Sequence, residues 1–160
     1  MPAEVETMFY VDKLPWHGLG TKLEECPTSA EAIAQAGLDW TVEKVPSYME
    51  VVDESGSFPR VNYAEVPGAF FTRRLDRPGV EGILGTVRSG YTVLQNVEAF
   101  SFTDSLLDEG ATRYETAGSL QRGRKVWMLA QLPGWVELAG TEDRIEKYLL
   151  LVNAHDGCWS

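Results

Sequence analysis

Hydrophobic and polar positions change their period several times along the chain, and the changes mark the elements. Thr28-Ser29-Ala30-Glu31 fits a capping box, in which the Thr28 hydroxyl accepts from the main chain three residues on while Glu31 reaches back. The pattern predicts a short helix to about Ala36, stopped by Gly37 in a left-handed conformation. Its apolar face is thin, so the helix needs a sheet to lie against. From Trp40 the period becomes two, which predicts a half-buried strand to Val45, ended by Pro46. Tyr48 to Val52, Ala69 to Arg73 and Gly82 to Val87 read as further strands. Asp53-Glu54-Ser55-Gly56 and Asp76-Arg77-Pro78-Gly79 supply turns between them, and Phe70-Phe71 reads as core.

A second helix is predicted from Val97 to about Glu109, with Asn96 as its N-cap and Gly110 as its stop. Strands follow at Tyr114 to Leu120, Lys125 to Leu132, Val136 to Ala139 and Ile145 to Val152, the first two joined by a turn at Gln121-Arg122-Gly123-Arg124. Tyr148-Leu149-Leu150-Leu151-Val152 is apolar without interruption, the pattern of a central strand covered on both faces. Residues 9 to 20 mix large aromatics with proline and glycine and read as a packed irregular loop anchored by burial of Trp16. Together these elements predict an α+β fold, a mostly antiparallel sheet with two helices packed on it, in one domain over residues 1–160.

Composition adds limits. At 160 residues with 44% in the hydrophobic class, the chain can build a core, and a net charge of −10 excludes a wholly basic nucleic-acid coat. No apolar run reaches the roughly 20 residues of a membrane-spanning helix, and the first residues lack a basic signal region, so no membrane partner and a cytoplasmic location are expected. Cys26 and Cys158 are expected to be free thiols.

The charge is unevenly placed. Residues 1–59 carry 3 basic and 11 acidic side chains, 3 − 11 = −8, whereas residues 60–125 carry 9 and 8, a balance of +1. Eight of those nine cations are arginines, suited either to phosphate or to pairing with the acidic first third. His155, Asp156 and Cys158 lack the spacing of a zinc site, and His17 reads as a packed histidine bonded to main chain. Gly18-Leu19-Gly20 lacks the remainder of a dinucleotide fingerprint. The chain therefore suggests no catalytic residue, no metal and no cofactor.

Several runs carry a resemblance: Pro15-Trp16-His17-Gly18-Leu19-Gly20, Ala36-Gly37-Leu38-Asp39-Trp40, Tyr114-Glu115-Thr116-Ala117-Gly118-Ser119-Leu120 and Asn153-Ala154-His155-Asp156-Gly157. In these the chain resembles the phage/plasmid-like protein family, whose core is domain of unknown function 932. The resemblance implies a mobile-element origin and a bacterial host cytoplasm. It also implies that relatives continue past Asn-x-His-Asp-Gly, so this chain corresponds to an amino-terminal half.

Two functions follow as expectations. The first is non-enzymatic binding of single-stranded DNA in phage recombination or replication, through Arg113, Tyr114, Arg122, Arg124 and Lys125 on one predicted hairpin. The alternative is an acidic inhibitor or interaction protein that occupies a basic surface of a host protein. Exposed apolar surface left by a missing half would favour a homo-oligomer.

Overall fold

The computed structural model describes residues 4–106, 113–137, 140 and 143–158. Their elements, in chain order, are β1 (Val5–Val11), β2 (Thr21–Leu23), α1 (Ser29–Gln35), β3 (Val42–Asp53), β4 (Arg60–Arg74), β5 (Ile83–Arg88), α2 (Asn96–Leu106), β6 (Arg113–Leu120), β7 (Lys125–Glu137) and β8 (Arg144–Ala154). The fold is α+β. A five-stranded sheet runs β2-β1-β6-β7-β8, antiparallel except for the short β1–β2 pair, and β3-β4-β5 form an antiparallel three-stranded sheet.

Local chemistry explains α1. Thr28 Oγ1 accepts from Glu31 N at 3.4 Å and the Glu31 carboxylate accepts from Thr28 N at 2.9 Å, so the capping box forms as the sequence predicts. Gly37, at φ +62°, ends the helix, and Leu38 N donates back to Ile33 O. Ala32, Ile33 and Ala36 then face the core.

Cross-strand register assigns the faces of the large sheet. Phe9, Ala117, Met128 and Leu151 stand in one row on the face covered by the helices, where Leu38, Leu84, Phe100 and Tyr114 join them. Met8, Gly118, Trp127 and Val152 form a row on the opposite face. Close packing there forbids a side chain at residue 118, because a Cβ would lie 2.4 Å from both Thr7 O and Trp127 Cη2.

A buried polar knot ties the sheets together. Arg74, only 4% exposed, bonds Glu6 at 3.0 Å and Asp76 at 2.7 Å, donates to Arg122 O and lies 4.1 Å above the Trp40 ring. Ser119 also donates to Glu6, and Arg77 pairs with the same carboxylate. With Arg73 bonded to Glu43, three middle-third arginines are committed to the acidic first third. Charged hydrogen bonds satisfied on all sides are what make such burial tolerable.

Several expectations are corrected. β1 begins at Val5, so the segment from Phe9 to Val11 is strand rather than loop; Met8 through Val11 are all buried, which hides the two-residue period. Trp16 is 88% exposed and anchors nothing by burial. Pro46 does not end its strand: β3 is an edge, where a missing N–H costs no ladder bond, and a bulge between Pro46 and Tyr48 absorbs the irregularity. Phe70 and Phe71 are half-buried, with Lys44 Nζ 5.1 Å above the Phe70 ring. Val136 continues β7 past a bulge at Leu132/Trp135 instead of starting a new strand. Finally, β8 is an edge strand, not a central one. The predicted end of the second helix at Glu109 and Gly110, and Ala139, lie outside the described residues.

A candidate binding trough

The face of the large sheet opposite the helices is not flat. Trp127 and Leu129 from β7, Tyr10 from β1 and Tyr148 from β8 form its floor, while the Asp12–His17 and Glu24–Cys26 segments rise along one side. The enclosed space is about 1300 Å³ and open to solvent. At its rim His17 Nδ1 accepts from Leu19 N at 3.1 Å, closing a tight turn that holds the Trp16 indole outward, edge-on to the His17 ring. His17 is thus bonded to main chain, as its sequence context suggests, but it stands half-buried in an exposed loop rather than packed.

The trough is acidic. Asp12, Glu24, Glu25, Glu115 and Glu146 line it against Lys13 and Arg113. Burial raises the Glu115 carboxyl above the ordinary carboxylate range, and the charges of Asp12 and Glu146 push it further. Burial likewise raises the Cys26 thiol, with Glu115 and Asp12 adding to the effect and Arg113 opposing it. Tyr148, whose hydroxyl donates to Glu146 at 2.8 Å, is pushed up to about 12, chiefly by that bond. Three different groups therefore hold their protons more tightly here, each with a trough carboxylate among the causes.

The residues expected to bind DNA do not converge. Arg113 is exposed at the start of β6 beside the trough. Arg122 and Arg124 are exposed at the bend between β6 and β7, about 23 Å away by strand rise. Lys125 opens β7, half-buried. Tyr114 is the clearest departure: it is 1% exposed, tilted against Phe100 with its hydroxyl bonded to Asp104, and offers no face for a base to stack on. The bend itself is shaped by main-chain demands. Gln121 and Arg122 have positive φ, and the Arg124 and Arg122 carbonyls accept from His155 N and Arg74 Nη1.

His155 occupies the other end of the structure's polar core. It is fully buried, edge-on to Trp40, with Nε2 2.9 Å from Asn96 Oδ1. Because Asn96 Nδ2 donates to Leu38 O, its Oδ1 must accept, so Nε2 carries the proton and Nδ1 is left as an unpartnered lone pair. Burial, with Arg74 nearby, lowers the ring to about 4, so it is neutral at ordinary pH. The following Asp156 main chain packs on β5, where a Cβ at Gly85 would meet Asp156 Cα at 2.6 Å. Asn153-Ala154-His155-Asp156-Gly157 is thus a structural joint between β8, α2 and β5.

That joint, with β5 through β8, is the stretch a family model covers: the model described as Domain of unknown function (DUF932) matches residues 83–160. Over these residues the chain is similar to the DUF932 family. No curated protein and no solved structure matches the chain. The DUF932 segment supplies most of the trough floor and its Arg113, Glu115, Glu146 and Tyr148, while the Asp12–Cys26 wall precedes it. Among the described residues no group of three metal-ligating side chains comes together, and no helix is long and apolar enough to cross a membrane.

The trough is what sequence reasoning missed. Its carboxylates come from the segments that follow β1 and β2 and from β6 and β8, and none of them forms a local motif. The only advance signal was the −8 balance of residues 1–59.

Proposed function

We propose that this protein is a non-enzymatic interaction protein, acting in the cytoplasm of a bacterial host, whose trough receives a basic segment of a partner protein. The carrying observation is the charge that lines the trough: Asp12, Glu24, Glu25, Glu115 and Glu146 stand against Lys13 and Arg113, and carboxylates are among the lesser causes that raise Glu115 and Cys26, after burial. That excess of carboxylates favours a guanidinium or ammonium brought into the same space. The aromatic floor suits the purpose, because Trp127, Tyr10 and Tyr148 can contact the apolar stem and delocalised head of an arginine.

Titration with an arginine-rich peptide, followed by tryptophan fluorescence, tests this. Binding that weakens with added salt, and weakens again in a Glu115→Gln, Glu146→Gln double variant, is the expected result. No salt-sensitive binding by the unaltered chain would sink the proposal.

A second proposal, contact with single-stranded DNA, is supported by Arg122 and Arg124, both exposed at one bend and away from the trough carboxylates. Salt-dependent anisotropy of a fluorescent oligonucleotide that falls when Arg122, Arg124 and Lys125 become Ala is its expected signature.

A further inference from the structure

The two edges of the large sheet differ in kind. One edge is β2, three residues long; the other is β8, eleven residues long and without proline. Natural edges of that length are blunted by charge, proline or bulges. In β8 the charges Arg144, Glu146 and Lys147 sit in the first half only, and Tyr148 to Val152 is bare of them.

Main-chain direction along this run follows from one bond. His155 N donates to Arg124 O while Ala154 pairs with Lys125, so Ala154 is a non-hydrogen-bonded partner of β7 and its own N–H and C=O point to the free edge. The same alternation turns the main chain of Tyr148, Leu150 and Val152 outward. Their side chains share the open face, where Leu150 is 59% exposed and Tyr148 and Val152 are partly exposed.

We infer that a second copy of this chain pairs with that edge, β8 against β8 antiparallel, on a twofold axis through Leu150. The sequence of the strand is self-complementary about that residue. Leu150 meets its own counterpart, Tyr148 meets Val152 of the other copy, and Leu149 meets Leu151. Every outward N–H and C=O of Tyr148, Leu150 and Val152 is answered, since directly opposed hydrogen-bonded residues exchange both bonds. No like charges stand opposite each other, because Glu146 and Lys147 fall beyond the apolar run. Pairing ends naturally at Val152: the next outward carbonyl, Ala154 O, is already taken by the Tyr91 hydroxyl at 2.8 Å. An axis centred on Lys147 would instead oppose two lysines, which disfavours that register. The joined sheet carries both troughs on one side, because a twofold normal to a sheet keeps its faces. Each copy carries −10, so the association strengthens with added salt.

Sedimentation equilibrium of the full chain is expected to show a reversible monomer–dimer equilibrium that shifts toward dimer with salt. Leu150→Lys, at an exposed side chain, is expected to abolish the dimer with an unchanged circular-dichroism spectrum. As a check that does not depend on that variant's folding, Leu150→Cys in a Cys26→Ser, Cys158→Ser background is expected to form a disulfide dimer under mild oxidation. Tyr63→Cys in the same background is expected not to. A strict monomer at every concentration overturns the inference. So does a dimer in which Tyr63→Cys cross-links and Leu150→Cys does not, which would place the contact on the β3–β4 ribbon.

Discussion

The β6–β7 hairpin and the β3–β4 ribbon are both long antiparallel pairs rich in aromatic and branched residues, yet their surroundings are opposite. β6 and β7 lie between β1 and β8 with helices on one face, so Tyr114, Ala117, Val126 and Met128 are all sealed. β4 is joined by β5 only over Ala69–Arg73, and beyond that the ribbon stands with both faces in solvent. There Tyr63 is 72% exposed, with Val51, Val52, Val61 and Met49 also exposed. Strand propensity is shared by the two regions; burial is conferred by neighbours. A side chain in the first region should therefore matter to stability far more than a similar one in the second.

The largest expected contrast uses two aromatics. Phe100→Ala removes a fully buried ring packed on Tyr114 and should cost about 3–5 kcal/mol, whereas Tyr63→Ala should stay within about 0.5 kcal/mol. Equal shifts in the urea midpoint would show that the ribbon is covered in solution and erase the distinction.

Next in size is the pH response of the joint that holds β8 to α2. With His155 lowered from 6.5 to about 4, the unfolded chain takes up a proton that the folded chain refuses as pH falls through that interval. Stability should therefore be undiminished by this group above about pH 6.5 and decline toward pH 4, by an amount on the order of 3 kcal/mol. Denaturation curves across this range should show the decline in the unaltered protein and a flatter response in His155→Gln. Parallel responses in the two proteins would mean that the imidazole is not sealed.

Gly118→Ala should come third, at about 1–3 kcal/mol, because β1 main chain and the Trp127 ring both have to give way to the new methyl group. Gly68→Ala, in the ribbon strand with open space around it, isolates the purely conformational cost of a positive φ. Comparing their thermal midpoints separates crowding from backbone strain; similar losses would argue against crowding at Gly118.

Trp16→Ala should have the smallest effect on stability, within about 0.5 kcal/mol, since its ring stands outside the core. Its effect should fall instead on binding of a basic peptide at the trough rim. A large drop in the denaturation midpoint would return Trp16 to the scaffolding role that its sequence context suggested.

Much of the local architecture was readable in advance because its causes are local. Thr28 and Glu31 are three residues apart, so their reciprocal bonds are written in the chain, and Gly37 ends α1 through its own left-handed freedom. The apolar content of Tyr148–Val152 declared a strand for the same reason. Its place in the sheet was not declared, because an apolar run is consistent with cover on both faces or with an uncovered edge, and only the order β2-β1-β6-β7-β8 chooses. Likewise Tyr114 carries the same phenol whether it faces solvent or Phe100; the side of β6 that α2 covers decides it.

By itself, then, the sequence determined most of the element types, the capping of α1, the α+β class and the segregation of charge, all of which depend on neighbours along the chain. The tertiary structure alone decided where that charge would act. Glu6 is drawn inward to hold Arg74 and Arg77, while Asp12, Glu115 and Glu146, far apart in sequence, meet around one trough. Electrostatic interaction follows distance and dielectric rather than chain order, and those two quantities exist only once the strands have paired.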